Sequence, residues 1–150
     1  MSVPEVPGSV RARVLHPGGG SGAVCAIPPV SFWGGVGADG VIADVHHPAH
    51  GASLVGSALV METSKGSSSG SSVLAELIVT GRAPALIVLS QPDAVLVSGC
   101  LAAVAISGLS LPIVQVTASD LARVGGATAL AVDCTGVQIG QLTTVAVHGA

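Results

Sequence analysis

The chain has 150 residues, of which 49% are hydrophobic and 9% are charged, with a single Trp, a single Phe and no Tyr. This length suits one domain, and so few charges favour a surface that is buried against a partner or that self-associates. The net charge of −3, with only five Lys and Arg residues, excludes the basic patch that nucleic-acid binding requires. We expect residues 1–9 to be a flexible terminus and residues 10–150 to form one domain.

The cysteines are Cys25, Cys100 and Cys134, which are far apart in the sequence and form no CxxC pair. Because metal sites usually need closely spaced ligands, we expect no metal or cluster site in this chain. No signal-peptide pattern is present, so we expect a cytoplasmic protein with reduced thiols.

Residues 94–119 carry no charge and are numerous enough to span a bilayer. Gly108 and Pro112 interrupt this run, and the acidic residues Asp93 and Asp120 flank it where basic residues would be expected. We therefore predict a buried helix followed by a buried strand, and no membrane span.

Apolar runs with strand or helix spacing divide the chain into short elements. In chain order they are a strand at 10–16, a strand at 23–27, a loop at 28–51, a strand at 57–61, a serine-rich loop at 64–72, a helix that begins near 73 and ends at Gly81, a strand at 85–89, a helix at 94–106, and strands at 113–116, 127–132 and 137–142. We expect the glycine turn 18–20 to join the first two strands as a hairpin. The alternation of strands and helices in the middle predicts a layered, mixed α/β domain.

The serine-rich loop, SKGSSSGSS at residues 64–72, is the segment best suited to bind a ligand. Because it precedes a predicted helix, the N–H groups and the dipole of the first turn would attract an anion, and Lys65 adds positive charge. Gly66 and Gly70 allow the backbone to approach a ligand closely. A flexible linker or an N-cap with surplus serines would give the same composition, and both interpretations stay open at this point.

The glycine-rich loop at 28–51 contains two weaker signals. Gly35, Gly37 and Gly40 match GxGxxG, but no strand precedes them and no helical pattern follows, so we interpret the match as chance. Trp33 is typical either of an interface anchor or of a residue that covers its own core.

The same loop holds His46, His47 and His50 close to Asp39 and Asp44. Such spacing is compatible with metal ligation, but no second group of ligands accompanies it. Packing of the loop is the favoured interpretation.

Three segments resemble the small domain of aconitase X enzymes: SFWGGV at 31–36, HPAHG at 47–51, and SKGSSSGSSVLAELIVTGRAPALIVL at 64–89. An Asp–Gly turn at 39–40 lies between the first two, and the resemblance extends over residues 8–133. The KGSSSGS loop with its following helix and strand is the most specific part.

This resemblance implies a swivelling β/β/α fold and a large partner subunit that holds an iron–sulfur cluster. Members of the family dehydrate cis-3-hydroxy-L-proline or phosphomevalonate. The resemblance also implies that Ser67, the first serine after the Lys–Gly pair, removes a carbon-bound proton. It implies substrate contacts from Lys65, Gly66, Ser68 and Ser69.

Asp44 and His47 are carried over only as rim residues of the active site. The expected function is thus that of the small subunit of a heterodimeric hydro-lyase, inactive without its large subunit, that acts on a small carboxylate. The sparse basic charge favours cis-3-hydroxy-L-proline. The alternatives are phosphomevalonate, whose phosphate Lys65 and Arg82 would meet, and a non-catalytic anion-binding or scaffold module.

Overall fold

The computed structural model describes residues 8–149, so most of the predicted flexible segment 1–9 lies outside the described residues. The strands are β1 Ser9–His16, β2 Gly19–Ala26, β3 Ala58–Val60, β4 Leu86–Leu89, β5 Ile113–Gln115, β6 Ala129–Asp133 and β7 Leu142–His148. The helices are α1 Phe32–Gly35, α2 Gly70–Val79, α3 Ala94–Ser107 and α4 Ala118–Gly125. The predicted buried helix and strand within residues 94–119 are confirmed as α3 and β5.

The strands form a closed barrel in the order β1-β5-β4-β3-β2-β6-β7. The pairs β2–β3, β3–β4 and β4–β5 are parallel, whereas β6, β7 and β1 pair antiparallel with their neighbours. Within residues 8–149, closure pairs every strand of the barrel on both sides. Helices α2 and α3 connect neighbouring parallel strands, whereas α4 leads from β5 to the antiparallel half.

Two apolar clusters give the domain three layers. One cluster fills the barrel with small aliphatic side chains such as Val14, Val88 and Val145. The other lies between the outer face of the parallel strands and the helices α2 and α3, and includes Leu77 and Cys100. The three layers are the two walls of the barrel and the outer helices. This arrangement confirms the predicted mixed α/β fold of the β/β/α type.

The parallel strands determine where polar loops meet. Because β3, β4 and β5 run in the same direction, the segments that follow them, 61–69, 90–93 and 116–117, leave the same edge of the sheet. This carboxyl edge is where open parallel sheets ordinarily bind ligands. The serine-rich loop therefore begins at the edge that favours a site.

The hairpin predicted between the first two strands is wrong. β1 pairs with β5 and β7, whereas β2 pairs with β3 and β6. The glycines of β2 serve other contacts: a Cβ at Gly20 would collide with the carbonyl of Ala85, and one at Gly22 with the carbonyl of Gly56. These glycines allow neighbouring segments to approach closely, which local sequence cannot reveal.

The strand predicted at 137–142 is also wrong, because this segment forms turns and the strand begins at Leu142. Gly136 and Gly140 have φ values of 76° and 93°, which lie in the left-handed region and interrupt an extended chain. Ile139 is exposed, so the apolar alternation here does not reflect a buried face.

Helix α4 was not predicted. It has only eight residues and many polar ones, but Thr117 caps it by accepting a hydrogen bond from the N–H of Asp120 at 3.1 Å. Val124 of α4 packs into the cluster inside the barrel, so the helix covers one end of the barrel.

The long segment between β2 and β3 packs on the domain itself through residues such as Val30, Phe32, Ile42 and Leu54. Within residues 8–149 no helix has the length and apolar character needed to cross a bilayer.

Candidate active site at the serine-rich loop

The predicted site residues Lys65, Gly66, Ser67, Ser68 and Ser69 form one exposed turn between β3 and α2. The carbonyl of Ser67 accepts a hydrogen bond at 3.0 Å from the N–H of Gly70, the first residue of α2. The structure thus brings all five residues together where the helix begins.

The hydroxyl of Ser67 is oriented by the turn itself. Its Oγ accepts a hydrogen bond from the N–H of Ser69 at 3.1 Å. An N–H donor favours negative charge on the oxygen that it contacts, and so does the positive end of the helix dipole. Both effects act in the direction of stabilising negative charge on Ser67 Oγ.

The serines are not an ordinary N-cap. Ser69 occupies the N-cap position of α2, but its side chain caps no backbone N–H. Within residues 8–149, no acceptor contacts the N–H groups of Ser67 and Ser68. These donors are available to an anionic ligand, as expected at a helix N-terminus that binds anions.

The loop is also not a loose linker, because it is fixed to the segment before α1. The N–H of Lys65 donates to the carbonyl of Val30 at 3.1 Å. Gly66 has a φ of 93°, and a Cβ there would lie 2.6 Å from Ser31 Oγ. Only glycine satisfies both constraints, so Gly66 fits the loop closely against Ser31.

Asp93, which sequence reasoning treated only as a flanking charge, fixes the other end of the loop. Its Oδ2 accepts hydrogen bonds from Ser64 Oγ, Ser64 N–H and Thr63 Oγ1 at 2.6, 2.8 and 3.0 Å. Its Oδ1 accepts from the N–H of Leu96 at 3.0 Å and so caps α3. Burial raises the pKa of Asp93, but these hydrogen bonds together lower it by more. The pKa of Asp93 therefore lies below its ordinary value.

The two predicted rim residues lie in the segment between β2 and β3. His47 is buried, with Nε2 3.0 Å from the carbonyl of Pro28 and Nδ1 accepting from the N–H of Ala49 at 3.0 Å. Asp44 is half-buried, and its Oδ1 accepts from the N–H of His46 at 2.9 Å. Both side chains therefore organise their own loop, and among residues 8–149 neither forms a hydrogen bond with the serine-rich loop.

Among residues 8–149, no three His, Cys, Asp or Glu side chains lie close enough to hold a metal ion. Cys100 and Cys134 are buried in different apolar clusters, and Cys25 is half-buried on β2. Burial raises the pKa of the Cys100 thiol to about 12, which disfavours the thiolate that ligates iron. The described cysteines do not fit an iron–sulfur cluster.

Trp33 lies next to the serine-rich loop, and 59% of its surface is exposed, whereas Phe32 is buried. This exposure fits an interface anchor better than a residue that covers its own core. The backbone nitrogen of Trp33 is 3.7 Å from the position of a Cβ on Gly70, so the backbone at Trp33 lies beside the start of α2.

The barrel, the outer helices and the loop at the carboxyl edge define a layered α/β domain with an exposed, hydroxyl-rich turn at that edge. The sequence model described as "Aconitase X swivel domain" matches residues 9–139, and the chain belongs to this family. The crystal structure of Thermococcus kodakaraensis aconitase X in its holo-form has the same fold, with a TM-score of 0.67 and 23% identity over 93% of this chain and 97% of that one.

Two kinds of curated relative are similar in sequence. The cis-3-hydroxy-L-proline dehydratase of Pseudomonas aeruginosa is 46% identical over 67% of this chain and 18% of its own length. The phosphomevalonate dehydratase small subunit of Methanothermobacter thermautotrophicus is 33% identical over 75% of this chain and 82% of its own length. The chain therefore spans less than a fifth of the first relative but most of the second.

Proposed function

We propose that this chain is the small subunit of a two-subunit iron–sulfur hydro-lyase and that it supplies Ser67 as the base. The reaction is the dehydration of a small hydroxy acid. The observation that carries the proposal is the exposed Ser67 hydroxyl, which accepts the N–H of Ser69 at the beginning of α2. The presence of dehydratases among the relatives supports the same reaction class.

In this proposal, the Ser67 alkoxide would take a proton from a carbon atom of the substrate and become the neutral hydroxyl. The hydroxyl group on the adjacent carbon would leave, and the cluster of the large subunit would supply the Lewis acid for its departure. A serine hydroxyl is a weak base, so its alkoxide needs stabilisation by neighbouring donors and positive charge. The N–H of Ser69, the helix dipole and the exposed ammonium group of Lys65 provide both. The base is thus generated by the same turn that attracts the substrate.

The substrate carboxylate would bind to the N–H groups of Ser67 and Ser68 and to the hydroxyls of Ser68 and Ser69. Gly66 has no side chain to obstruct this approach, and Lys65 attracts the negative charge. Asp44 and His47 would then act indirectly, since they organise the neighbouring loop that forms the rim.

We assign the iron–sulfur cluster to the large subunit, because no three His, Cys, Asp or Glu side chains among residues 8–149 lie close enough to hold a metal, and Cys134 lies in a different apolar cluster from Cys25 and Cys100. Two features support a large partner. Only 9% of the residues are charged, and Trp33, whose backbone lies beside the start of α2, is exposed.

We favour cis-3-hydroxy-L-proline as the substrate, because the relative with that activity is 46% identical, against 33% for the phosphomevalonate enzyme subunit. The low number of basic residues supports the same choice, since a phosphate needs more positive charge than a carboxylate. Phosphomevalonate is the second candidate, because the chain is 33% identical over 82% of the length of a phosphomevalonate dehydratase small subunit.

The test is to co-express the chain with a large aconitase X subunit from the same organism and to assay both substrates side by side. We expect dehydration of cis-3-hydroxy-L-proline by the complex and none by the small chain alone. Dehydration of phosphomevalonate alone would contradict the substrate choice. Turnover of neither substrate by a complex with an intact cluster would contradict the proposal and favour a non-catalytic anion-binding module.

A further inference from the structure

The start of the serine-rich loop is attached to the start of α3 through one buried side chain. Only 7% of Asp93 is exposed, yet its carboxylate accepts four hydrogen bonds. Three come from Thr63 and Ser64, which lie about thirty residues earlier in the chain, and one comes from Leu96. We call Asp93 with Thr63, Ser64 and Leu96 the Asp93 clamp.

The two oxygens of the Asp93 carboxylate contact different parts of the chain. Oδ1 caps α3 through the Leu96 N–H, which stabilises a helix in any protein. Oδ2 receives all three donors from the residues that lead into the serine-rich loop. Capping α3 requires only the contact of Oδ1 with the Leu96 N–H. The contacts of Oδ2 therefore hold the serine-rich loop in position.

The position of Ser67 depends on this attachment. Ser64 is three residues before Ser67. Between them, the N–H of Lys65 donates to the carbonyl of Val30, and Gly66 packs closely against Ser31. The loop is therefore fixed at two points before Ser67 and by helix α2 after it. If the first point is released, Ser67 can shift relative to a substrate held by a second polypeptide.

We propose that Asp93 is a positioning residue: through Thr63 and Ser64 it holds the serine-rich loop so that Ser67 meets the substrate. This inference rests on the proposed function for its effect on catalysis. The attachment itself can be tested without substrate.

Thr63→Val tests the clamp most cleanly, because valine keeps the shape of threonine but has no hydroxyl to donate to Asp93 Oδ2. The cap on Leu96 stays intact. In the complex with the large subunit we expect kcat to fall between about 10-fold and 100-fold, since small displacements of a reacting group have effects of this size. We expect KM to stay within about twofold and Thr63→Ser to restore kcat.

Ser57→Ala is the matched control for lost stability. It removes a buried hydroxyl that donates to the carbonyl of Leu54 at 2.8 Å, just before β3 and therefore at the opposite edge of the sheet from the serine-rich loop. We expect it to lower the melting temperature at least as much as Thr63→Val and to leave kcat unchanged. A fall in kcat for Ser57→Ala as large as for Thr63→Val would overturn the positioning role.

Amide hydrogen exchange on the small chain provides the second measurement. Thr63→Val and Asp93→Asn should speed exchange at residues 64–69, and Ser57→Ala should not. Unchanged exchange at 64–69 in both variants would overturn the clamp, whatever Ser67 does. Wild-type turnover by Ser67→Ala would instead contradict the proposed function and leave the exchange result standing.

Discussion

Helices α2 and α3 follow neighbouring parallel strands, yet they begin in opposite ways. At α3 the buried Asp93 caps the Leu96 N–H. At α2 the N-cap residue Ser69 makes no side-chain cap, and the serines before it are exposed. The first N–H groups of α2 donate instead to carbonyls of the preceding turn, and among residues 8–149 the N–H groups of Ser67 and Ser68 are left without an acceptor.

This difference separates structural hydroxyls and carboxylates from those available for chemistry. The N–H groups of Ser67 and Ser68, which have no acceptor among residues 8–149, are available to a ligand. In our proposal that ligand is the anionic substrate. The comparison therefore predicts that changes in the exposed turn before α2 reduce activity with little loss of stability, whereas changes at Asp93 reduce stability as well as the positioning of Ser67.

The largest expected effect is that of Ser67→Ala on turnover. Loss of the base should lower kcat of the complex by about 10²- to 10⁴-fold. The melting temperature should stay within about 2 °C, because an exposed hydroxyl contributes little to stability. Ser72→Ala, an exposed serine one turn further along α2, is the control and should keep the wild-type rate. Full activity of Ser67→Ala would show that another group removes the proton.

The next largest effect is the difference in the free energy of unfolding between changes at the start of α3 and at the start of α2. Asp93→Ala removes a cap and leaves buried donors without an acceptor, so the free energy of unfolding should fall by about 2–4 kcal/mol. Ser69→Ala should change it by less than about 0.5 kcal/mol, because that side chain caps nothing. Urea denaturation of the isolated chain measures both. Equal losses for the two variants would remove the distinction between the helix starts.

Trp33→Ala should weaken binding of the large subunit by roughly 2 kcal/mol, or about 30-fold in Kd, as is usual for a Trp anchor. Ile139→Ala is the control, since it removes another exposed apolar side chain in the β6–β7 connection. Titration calorimetry measures the two dissociation constants. An unchanged Kd for Trp33→Ala would exclude the ring from the interface.

The smallest effect concerns pH. The pKa of Asp93 lies below its ordinary value of 3.8, so the carboxylate stabilises the fold above that pH and loses this contribution as the pH falls through its lowered pKa. The melting temperature of the wild type should exceed that of Asp93→Asn by a constant amount between about pH 7 and 5. Below about pH 4 this difference should become smaller, because the wild type loses the contribution of the carboxylate. A constant difference down to pH 3 would contradict the lowered pKa.

Sequence reasoning succeeded where the signal was local. The buried runs at β3 and β4, the uncharged stretch of α3 and the glycine after α2 lie close to their predicted positions. The serine-rich loop was found because it lies between a buried strand and a helix. All of these features depend on residues that are adjacent in the chain.

Most of what sequence reasoning missed depends on contacts between residues that are far apart in the chain. Barrel closure pairs β1 with β7 from opposite ends of the chain, and no pattern within either strand specifies that partner. The cap signal of Asp93 before α3 was visible, but its bonds to Thr63 and Ser64 depend on how β3 and β4 lie side by side. The apolar alternation around Ile139 resembled a strand because exposure cannot be read from sequence.

The central claim, that the start of α2 receives the substrate, is tested most directly by amide hydrogen exchange in the complex with the large subunit. Adding a slowly turned-over substrate analogue should slow exchange at residues 66–70 and leave the first turn of α3, residues 94–97, unchanged. Equal exchange at 66–70 with and without the analogue, while the analogue is bound, would contradict the account.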